Sequence, residues 1–256
     1  SKTLDFQSKI STQGVRFSHP LFRNEAFYLI KELKEYTEER LSSLMKISSK
    51  LSKLNLERYQ AFEEKPSAKI ARPALLVFKG DSYTGFDLES FTEEDFKFAQ
   101  SRLRILSGLY GILRPLDIIQ PYRLEMGTTL KNEKGANLYK FWNRLVTGVV
   151  NKELTHFKKP YVLNLASKEY SKVLDEKKLE GKVITPVFKD KVNGEYRVLG
   201  IFAKRARGQM ANYVIRHHIE NPEKIKYFTE SNYEYNAEMS TDSQYVFLRE
   251  LQENKK

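Results

Sequence analysis

Apolar residues in the first part of the chain recur at steps of three and four positions, a spacing typical of amphipathic helices. Phe27, Ile30 and Leu33 share one helical face, and a second series of apolar residues continues over residues 41–54. Thr37 stands between the two series and precedes two glutamates, so we predict that it caps the second helix. The pattern predicts that the first 70 residues are mainly helical.

The centre of the chain combines a strand signal with a helix signal. A short apolar run over residues 74–78 precedes Lys-Gly-Asp, which predicts a buried strand that ends at a turn. Thr92 and Asp95 have the spacing of a capping box, in which each side chain bonds the other residue's backbone. The helix that follows has a predicted apolar face at Phe96, Ala99, Leu103 and Leu106.

The second half of the chain alternates strand-like and helical segments. Asn193-Gly194 lies between β-rich residues 183–189 and 196–202 and is the strongest hairpin signal in the chain. A basic helix over residues 204–219 follows and ends before Asn221-Pro222. Other predicted elements are a helix over residues 138–150, a strand over 161–165, a short helix capped by Ser167 and a strand over 245–248. Hairpins beside interleaved helices and strands predict an α+β fold.

The composition limits both the fold and the chemistry. No segment rich in Pro, Gly or Ser divides the 256 residues, so we predict one domain over residues 1–256. We also expect a monomer. The absence of cysteine excludes disulfides, thiolate metal sites and thiol redox chemistry. The four histidines show no ligand spacing, and we expect neither a metal nor a cofactor. The lack of a long apolar run or a signal peptide predicts a cytoplasmic protein without membrane contact.

The net charge of +11 indicates a polyanionic partner. Residues 97–123 carry a net charge of +4 and residues 189–217 a net charge of +5, so two segments hold most of the excess. Residues 31–40 mix both signs and indicate an ordinary solvated helix face. This distribution favours a nucleic-acid backbone as the partner.

The segment Leu-Ser-Gly-Leu-Tyr-Gly-Ile over residues 106–112 follows a predicted helix that carries Arg102 and Arg104. Its spacing is similar to that of a helix-hairpin-helix, in which backbone N–H groups meet a DNA phosphate. The residues that would contact DNA here, besides the two arginines, are Ser107, Gly108, Leu109, Gly111 and Ile112. The alternative is an ordinary helix end with Gly108 as a left-handed cap, and Pro115 shortens any second helix.

A second basic cluster comprises Lys204, Arg205 and Arg207. We predict that they share the first turn of a helix, where the side chains and the helix N-terminus together meet a phosphate. The alternative for such a cluster is a solvated helix face. No acidic residue lies between Lys204 and Ile219 to neutralise the cluster, which keeps the binding interpretation open.

A third group of polar residues has the composition of an active site. The group comprises Lys79, Asp81, Asp117, Arg123 and Glu125. A lysine near apolar walls can lose its proton and become a nucleophile, and paired carboxylates can bind Mg²⁺ or transfer protons. The alternative is a buried ion-pair network that fixes loop geometry, for example Asp117 with Arg114 or Arg123.

Eight short blocks in the chain, taken together and in order, resemble the bacterial peroxide stress protein YaaA family. The blocks are KTLDF (2–6), FKGDSYTG (78–85), LSGLYG (106–111), RPLD (114–117), PYRLEMG (121–127), LYKFW (138–142), NLAS (164–167) and AKRARG (203–208). The resemblance implies a compact α+β fold with a helix-hairpin-helix element and a positively charged cleft that binds DNA. It also implies a cytoplasmic protein that is made under hydrogen peroxide stress and associated with low intracellular free iron.

Chains of this family usually begin with a short apolar strand, so we expect such a strand to precede Ser1. We predict a protein that grips the phosphate backbone of double-stranded or structured DNA without strong sequence preference. It would limit oxidative or iron-linked damage indirectly, in agreement with the absence of cysteine. The alternatives are an enzyme that acts on DNA or a nucleotide through Lys79 with Asp81 or Glu125, and a protein that binds Fe²⁺ through carboxylates alone.

Overall fold

The computed structural model describes residues 3–7, 14–67 and 70–250. In these ranges a mixed sheet, several two-stranded pairs and a series of helices form an α+β fold, which confirms the predicted fold class. The strand expected before Ser1 lies outside the described residues. No helix in the described ranges is both long and apolar enough to cross a bilayer.

Strand β1 (Thr3–Leu4) precedes three consecutive helices. The helices are α1 (Arg23–Lys34), α2 (Glu38–Met45) and α3 (Ser49–Gln60). The Thr37 hydroxyl accepts a hydrogen bond from the backbone N–H of Arg40, which confirms that Thr37 caps α2. Ile30 and Leu33, identified by their spacing, are fully buried in the larger of two apolar clusters.

The apolar run at residues 74–78 begins with a helical turn, so the predicted strand is wrong for most of its length. Strand β2 (Arg72–Pro73), helix α4 (Ala74–Val77) and strand β3 (Phe78–Lys79) follow one another directly. A short all-apolar segment lacks the periodicity that separates a buried strand from a buried helical turn. A tertiary hydrogen bond helps to fix the start of this helical turn, because the N–H of Ala74 donates to the carbonyl of Asp117.

Helix α5 (Glu93–Arg102) begins at the predicted capping box. The N–H of Asp95 donates to the Thr92 hydroxyl at 3.2 Å, and the N–H of Thr92 donates to the Asp95 carboxylate at 2.8 Å. The helix ends at Arg102, so Leu106, which was predicted to lie on its apolar face, belongs to the next strand.

Residues 105–113 form a β-hairpin, so the helix-hairpin-helix predicted for this segment is wrong. Strands β4 (Ile105–Ser107) and β5 (Gly111–Leu113) pair antiparallel. Gly111 has a φ of +68°, and an added Cβ would lie 2.6 Å from the Trp142 ring. A Cβ on Gly108 would overlap the carbonyl oxygen of Leu124. Both glycines permit a tight turn against the core, a role that their spacing does not distinguish from phosphate binding.

The remaining elements are β6 (Ile118–Ile119), α6 (Leu138–Leu154), β7 (Tyr161–Leu163), α7 (Lys168–Ser171), β8 (Lys182–Val192), β9 (Glu195–Arg197), α8 (Gly200–Arg216), β10 (Glu234–Asn236) and β11 (Gln244–Glu250). Strand β8 is the centre of the mixed sheet, whose strand order is β10-β11-β8-β7. Both β7 and β11 run parallel to β8, and β9 returns antiparallel to it. Asn193 and Gly194 have φ values of 52° and 84°, which confirms the predicted hairpin turn.

Helix α8 packs on the sheet and on the loop that follows β3. Its buried residues in the smaller apolar cluster are Ala203, Ala206 and Met210. On an adjacent face, a Cβ on Gly208 would overlap the carbonyl oxygen of Ser82. A Cβ on Gly85 would in turn overlap the α8 backbone. The two glycines thus let the backbones of the loop and the helix touch.

The far end of α8 is attached to α5 through Asp95, which is almost fully buried. Its carboxylate accepts hydrogen bonds from Thr92 and forms an ion pair with Arg216 at 2.5 Å, and His218 Nε2 lies 3.2 Å away. Burial by itself raises the pKa of Asp95. The hydrogen bonds from Thr92 and Arg216 outweigh that effect and hold the pKa below its ordinary value of 3.8.

We expect Gly111→Ala to lower the free energy of unfolding by about 2–4 kcal/mol, because the new Cβ meets Trp142 and the backbone remains left-handed. The matched control is Gly148→Ala in the exposed middle of α6, where a Cβ meets nothing within 4 Å. This control should gain about 0.5–1 kcal/mol from helix propensity. Urea unfolding of both variants measures the difference, and equal stabilities would contradict the assigned hairpin.

We expect Asp95→Asn to lower the free energy of unfolding at pH 7 by about 1–3 kcal/mol, because charged hydrogen bonds to Arg216 and Thr92 are lost. A carboxylate with a lowered folded pKa stabilises the protein above its unfolded pKa, and this contribution disappears as the pH falls through the folded pKa. The difference between wild type and variant should therefore shrink below about pH 4.

Thermal unfolding from pH 7 to pH 2 measures this difference for Asp95→Asn. Asp242→Asn, at an exposed position, is the control and should behave like the wild type throughout. A difference that stays constant down to the lowest pH would show that the charge of Asp95 does not contribute.

Candidate functional site

The basic cluster on α8 lies past the first turn of the helix, because α8 begins at Gly200 and not at Lys204 as predicted. Lys204 Nζ is 3.6 Å from the Asp81 carboxylate. Arg205 is exposed, and Arg207 is half-buried with its Nε 3.3 Å from the carbonyl of Ala203. In the described part of the chain, neither arginine has a carboxylate within 4 Å.

The environment of Arg207 is unusual for a surface arginine. Burial lowers the pKa of its guanidinium from the ordinary value, and no neighbouring carboxylate opposes this effect. A half-buried cation of this kind is stabilised by any anion that approaches it. On α8, Arg205 and Arg207 are consequently the two basic side chains that remain available for an external anion.

Arg102 and Arg104, which were predicted to contact DNA, are engaged within the protein. The Arg104 guanidinium forms a bidentate ion pair with Glu153 at 2.7–2.9 Å and also donates to the carbonyl of Gln100. Arg102 forms an ion pair with Glu220 at 2.5 Å and lies over the ring of Phe157. Arg104 thus stabilises the junction of α5 and α6, whereas Arg102 is partly exposed.

The residues of the predicted DNA-binding hairpin are in the protein interior. Those that are buried are Ser107, Gly108, Leu109, Gly111 and Ile112. The Ser107 hydroxyl lies 2.6 Å from the Tyr122 hydroxyl, and the carbonyl of Gly108 accepts a hydrogen bond from the Trp142 indole at 2.9 Å. Because these residues are buried, their backbones are not exposed to a phosphate at the surface, and the segment forms part of the core.

Asp117 belongs to the ion-pair network that was the alternative to catalysis. Asp117 is fully buried, and its carboxylate accepts hydrogen bonds from the backbone N–H and the guanidinium of Arg114. The carboxylate also accepts a hydrogen bond from the Ser18 hydroxyl at 2.7 Å. Arg123 does not join this network, since it pairs with Glu125 at 3.0 Å. The network holds residues 114–117 against the segment around Ser18, which also forms a bridge with Asp117.

Three segments, each made mainly of loop, form a region that we call the loop junction, defined as residues 79–85, 121–127 and 164–170; the first begins at the end of β3 and the last includes the start of α7. The N–H of Gly127 donates to the Glu169 carboxylate at 3.1 Å, which joins the second loop to the third. Burial raises the pKa of the Tyr170 hydroxyl, and the nearby Tyr122, Glu169, Glu125 and Tyr83 raise it further. The loop junction thus gathers phenols, carboxylates and the Arg123 guanidinium from three separate sequence blocks.

The two remaining residues of the predicted active site have different ion-pair partners. Lys79 lies 3.9 Å from the Asp5 carboxylate, and Asp81 lies 3.6 Å from Lys204. The structure therefore brings Arg123 and Glu125 together, but it pairs Lys79 with Asp5, which follows β1, and Asp81 with Lys204 on α8.

Arg58 is a residue of this region that the sequence patterns missed. It lies near the end of α3, half-buried, and its Nη1 is 3.3 Å from the amide oxygen of Asn55. Burial lowers the pKa of Arg58, and this effect outweighs the opposing influence of Tyr59, while the charge of Arg123 lowers the pKa slightly further. No local signal marks Arg58, because a basic residue near the end of a helix is ordinary.

The family model described as "Peroxide stress protein YaaA" matches residues 1–239 of the chain. A UPF0246 protein of Tolumonas auensis is 46% identical over 249 residues, which cover 97% of this chain and 95% of that protein. A UPF0246 protein of Cellvibrio japonicus is 45% identical over 250 residues, which cover 98% and 96% of the two chains. A third, of Acaryochloris marina, is 46% identical over 249 residues, 97% of each chain. These matches over nearly the full length confirm the resemblance carried by the eight blocks, and the chain belongs to the peroxide stress protein YaaA family.

Proposed function

We propose that the chain binds the phosphate backbone of double-stranded or structured DNA through α8. The observation that carries this proposal is the pair Arg205 and Arg207, which have no carboxylate partner in the described residues. Lys204 adds a third cation beside them, although Asp81 partly neutralises it. The sequence offers no acidic residue along α8 after Lys204, so a polyanion meets no repulsion from this helix.

Backbone binding of this kind does not depend on base sequence. Phosphates are the same at every step of a duplex, and arginine contacts two phosphate oxygens with its parallel N–H groups. Binding through α8 would cover DNA without reading it, which suits a role in limiting oxidative or iron-linked damage. The absence of cysteine supports such an indirect role, since the chain has no thiol to reduce peroxide.

We expect Arg205→Ala combined with Arg207→Ala to weaken duplex binding by more than about tenfold, because two phosphate contacts are lost. For the wild type, with about four to six phosphates contacted, the slope of log affinity against log salt should be about −4 to −5. The double variant should show a slope that is shallower by about 1–2. Fluorescence anisotropy with a labelled duplex at several salt concentrations measures both quantities.

The matched control removes the same charge from exposed positions on α3, through Lys50→Ala combined with Lys53→Ala. This control should keep the wild-type affinity within about twofold, because these lysines contribute only to the net charge. An equal loss in both double variants, or a wild-type affinity that does not depend on salt, would overturn the assignment to α8.

A second candidate function is an enzyme that acts on DNA or a nucleotide. The loop junction favours it, because carboxylate and guanidinium side chains from separate sequence blocks meet there, as in the pair of Arg123 with Glu125 and the bond from Gly127 to Glu169. Lys79 and Asp81 lie in one of its three loops, and Glu125 lies in another. The chemical roles would then belong to Lys79 with Asp81 or Glu125.

For this enzyme alternative, we expect Lys79→Ala to retain DNA as the wild type does and to lose turnover of a labelled branched or damaged DNA. The assay scores cleavage and retention in the same samples, with and without Mg²⁺. Lys140→Ala, at an exposed position of α6, is the control. Turnover that persists unchanged in the Lys79 variant would remove Lys79 from any catalytic role.

A further inference from the structure

A cleft of about 670 Å³ is lined by residues 221–229 and by strand β10. This volume lies in the range of about 300–1,000 Å³ that is typical of clefts for small molecules. The lining includes the aromatic side chains of Tyr227, Phe228 and Tyr235. All of its residues lie outside α8 and outside the loop junction. The cleft is therefore a separate site from the two described above.

A 3₁₀ helix over Pro222–Tyr227 places Lys224 and Tyr227 on one face. Such a helix has three residues per turn, so side chains three positions apart lie one above the other. The inward face carries Ile225, and Phe228 continues that face after the helix ends; both are buried. Lys224 is exposed, and 75% of the Tyr227 side chain is exposed. A cation and an aromatic ring thus lie side by side at the cleft.

The other lysine of the cleft is occupied by contacts within the protein. Lys226 forms an ion pair with Glu223 at 2.6 Å. Its ammonium group also lies over two rings, 5.2 Å from the centroid of Tyr235 and 4.8 Å from that of Tyr245. The Tyr245 hydroxyl donates to the second oxygen of Glu223 at 2.6 Å. In the described ranges, Lys224 has no carboxylate within 4 Å, so it is the lysine that can meet a ligand.

The aromatic wall of the cleft is anchored from behind. Phe228 packs edge-on against Tyr213 of α8 and against Phe247 of β11, with centroid distances of 5.5 and 5.8 Å. Tyr235 packs edge-on against Phe247 as well, at 5.8 Å. Because these contacts exist without a ligand, little further ordering of the wall is needed on binding.

The charges of the lining identify the chemistry that the cleft can attract. Glu223 and Glu234 oppose Lys224 and Lys226, so a bare phosphate gains little from the summed charge. The exposed ring of Tyr227 offers a different attraction, because a flat base stacks on an aromatic side chain. A ligand that joins a base to a phosphate can use the ring and the ammonium group of Lys224 together.

We propose that this cleft binds an unpaired nucleotide, with the base stacked on Tyr227 and the phosphate beside Lys224. The nucleotide is either a free mononucleotide or one unit of a single strand. Bases in a duplex are already stacked on one another, and a duplex therefore does not present this ligand. The proposal does not depend on the proposed role of α8.

The experiment compares two labelled single strands of about ten nucleotides by fluorescence anisotropy, an oligothymidylate and an abasic strand of the same length. The two strands carry the same phosphates, so their affinities differ only through the bases. The wild type should bind the oligothymidylate about tenfold more tightly, because stacking adds to equal phosphate contacts. Tyr227→Ala should abolish this preference, whereas Tyr227→Phe, which keeps the ring, should retain it.

Lys224→Gln should weaken the binding of both strands about two- to threefold and leave the preference for bases unchanged, because it removes one phosphate contact. The matched control for Tyr227 is Phe17→Ala, which removes an aromatic ring that is 51% exposed and lies outside the cleft. This control should keep the wild-type preference. Circular dichroism verifies that each variant is folded. Equal affinity of the wild type for the two strands, or a full preference in folded Tyr227→Ala, would overturn the proposal.

Calorimetric titration with AMP then identifies the source of the nucleotide. Saturable AMP binding that is lost in Tyr227→Ala supports a free mononucleotide, and a base preference without AMP binding supports a single strand. Arg205→Ala combined with Arg207→Ala should keep the base preference, and Tyr227→Ala should keep the wild-type affinity for a duplex. The failure of either proposal is thereby separated from the failure of the other.

Discussion

The contact between the backbone of α8 and the loop after β3 determines where most of the polar residues lie. Two glycines, Gly208 on the helix and Gly85 in the loop, leave no Cβ between the two segments, and the carbonyl of Ser82 occupies the space. The loop carries Asp81, which faces Lys204 on α8, and Tyr83, which lies near Tyr122 and Tyr170. A displacement of α8 would therefore move the basic cluster and the wall of the loop junction together.

The role of each arginine in this protein depends on whether its guanidinium already has a carboxylate partner. Arg104 and Arg114 satisfy their guanidinium groups with buried or half-buried carboxylates and backbone carbonyls, and they hold elements together. Arg58, Arg205 and Arg207 have no such carboxylate in the described ranges. A net charge of +11 indicates an anionic partner, but the partner meets only the cations that the protein has not already neutralised.

The sequence predicted those features that depend on neighbouring residues. The Thr37 cap, the capping box of Thr92 with Asp95, and the turn at Asn193-Gly194 each need only a few adjacent positions, and all three were confirmed. The prediction for residues 105–113 was wrong because the glycines there are required by close packing against Trp142 and Leu124, which are distant in the chain. The eight blocks identified the family, because eight short motifs in a fixed order are specific together although each motif alone is not.

The candidate site was less predictable than the fold, because a sequence lists charges and does not show which of them meet. Asp117 and Glu125 both carry a carboxylate and lie in adjacent blocks, yet Asp117 is buried in a network with Arg114 and Glu125 pairs with Arg123. The end of α3 reaches this region through the bond from the Tyr59 hydroxyl to the backbone carbonyl of Arg123, a packing contact that no local motif encodes.

The longest strand of the mixed sheet is also protected against pairing with a second molecule. Strands β7 and β9 border opposite ends of one edge of β8, which leaves residues 185–189 between them on that edge. The N–H of Thr185 turns toward the β11 side, so the backbones of Pro186 and Phe188 face the opening. Proline has no N–H, and the opening therefore presents a single donor where an intruding strand needs a row of them. Edge-to-edge aggregation is thus opposed at a place where the sheet would otherwise be open.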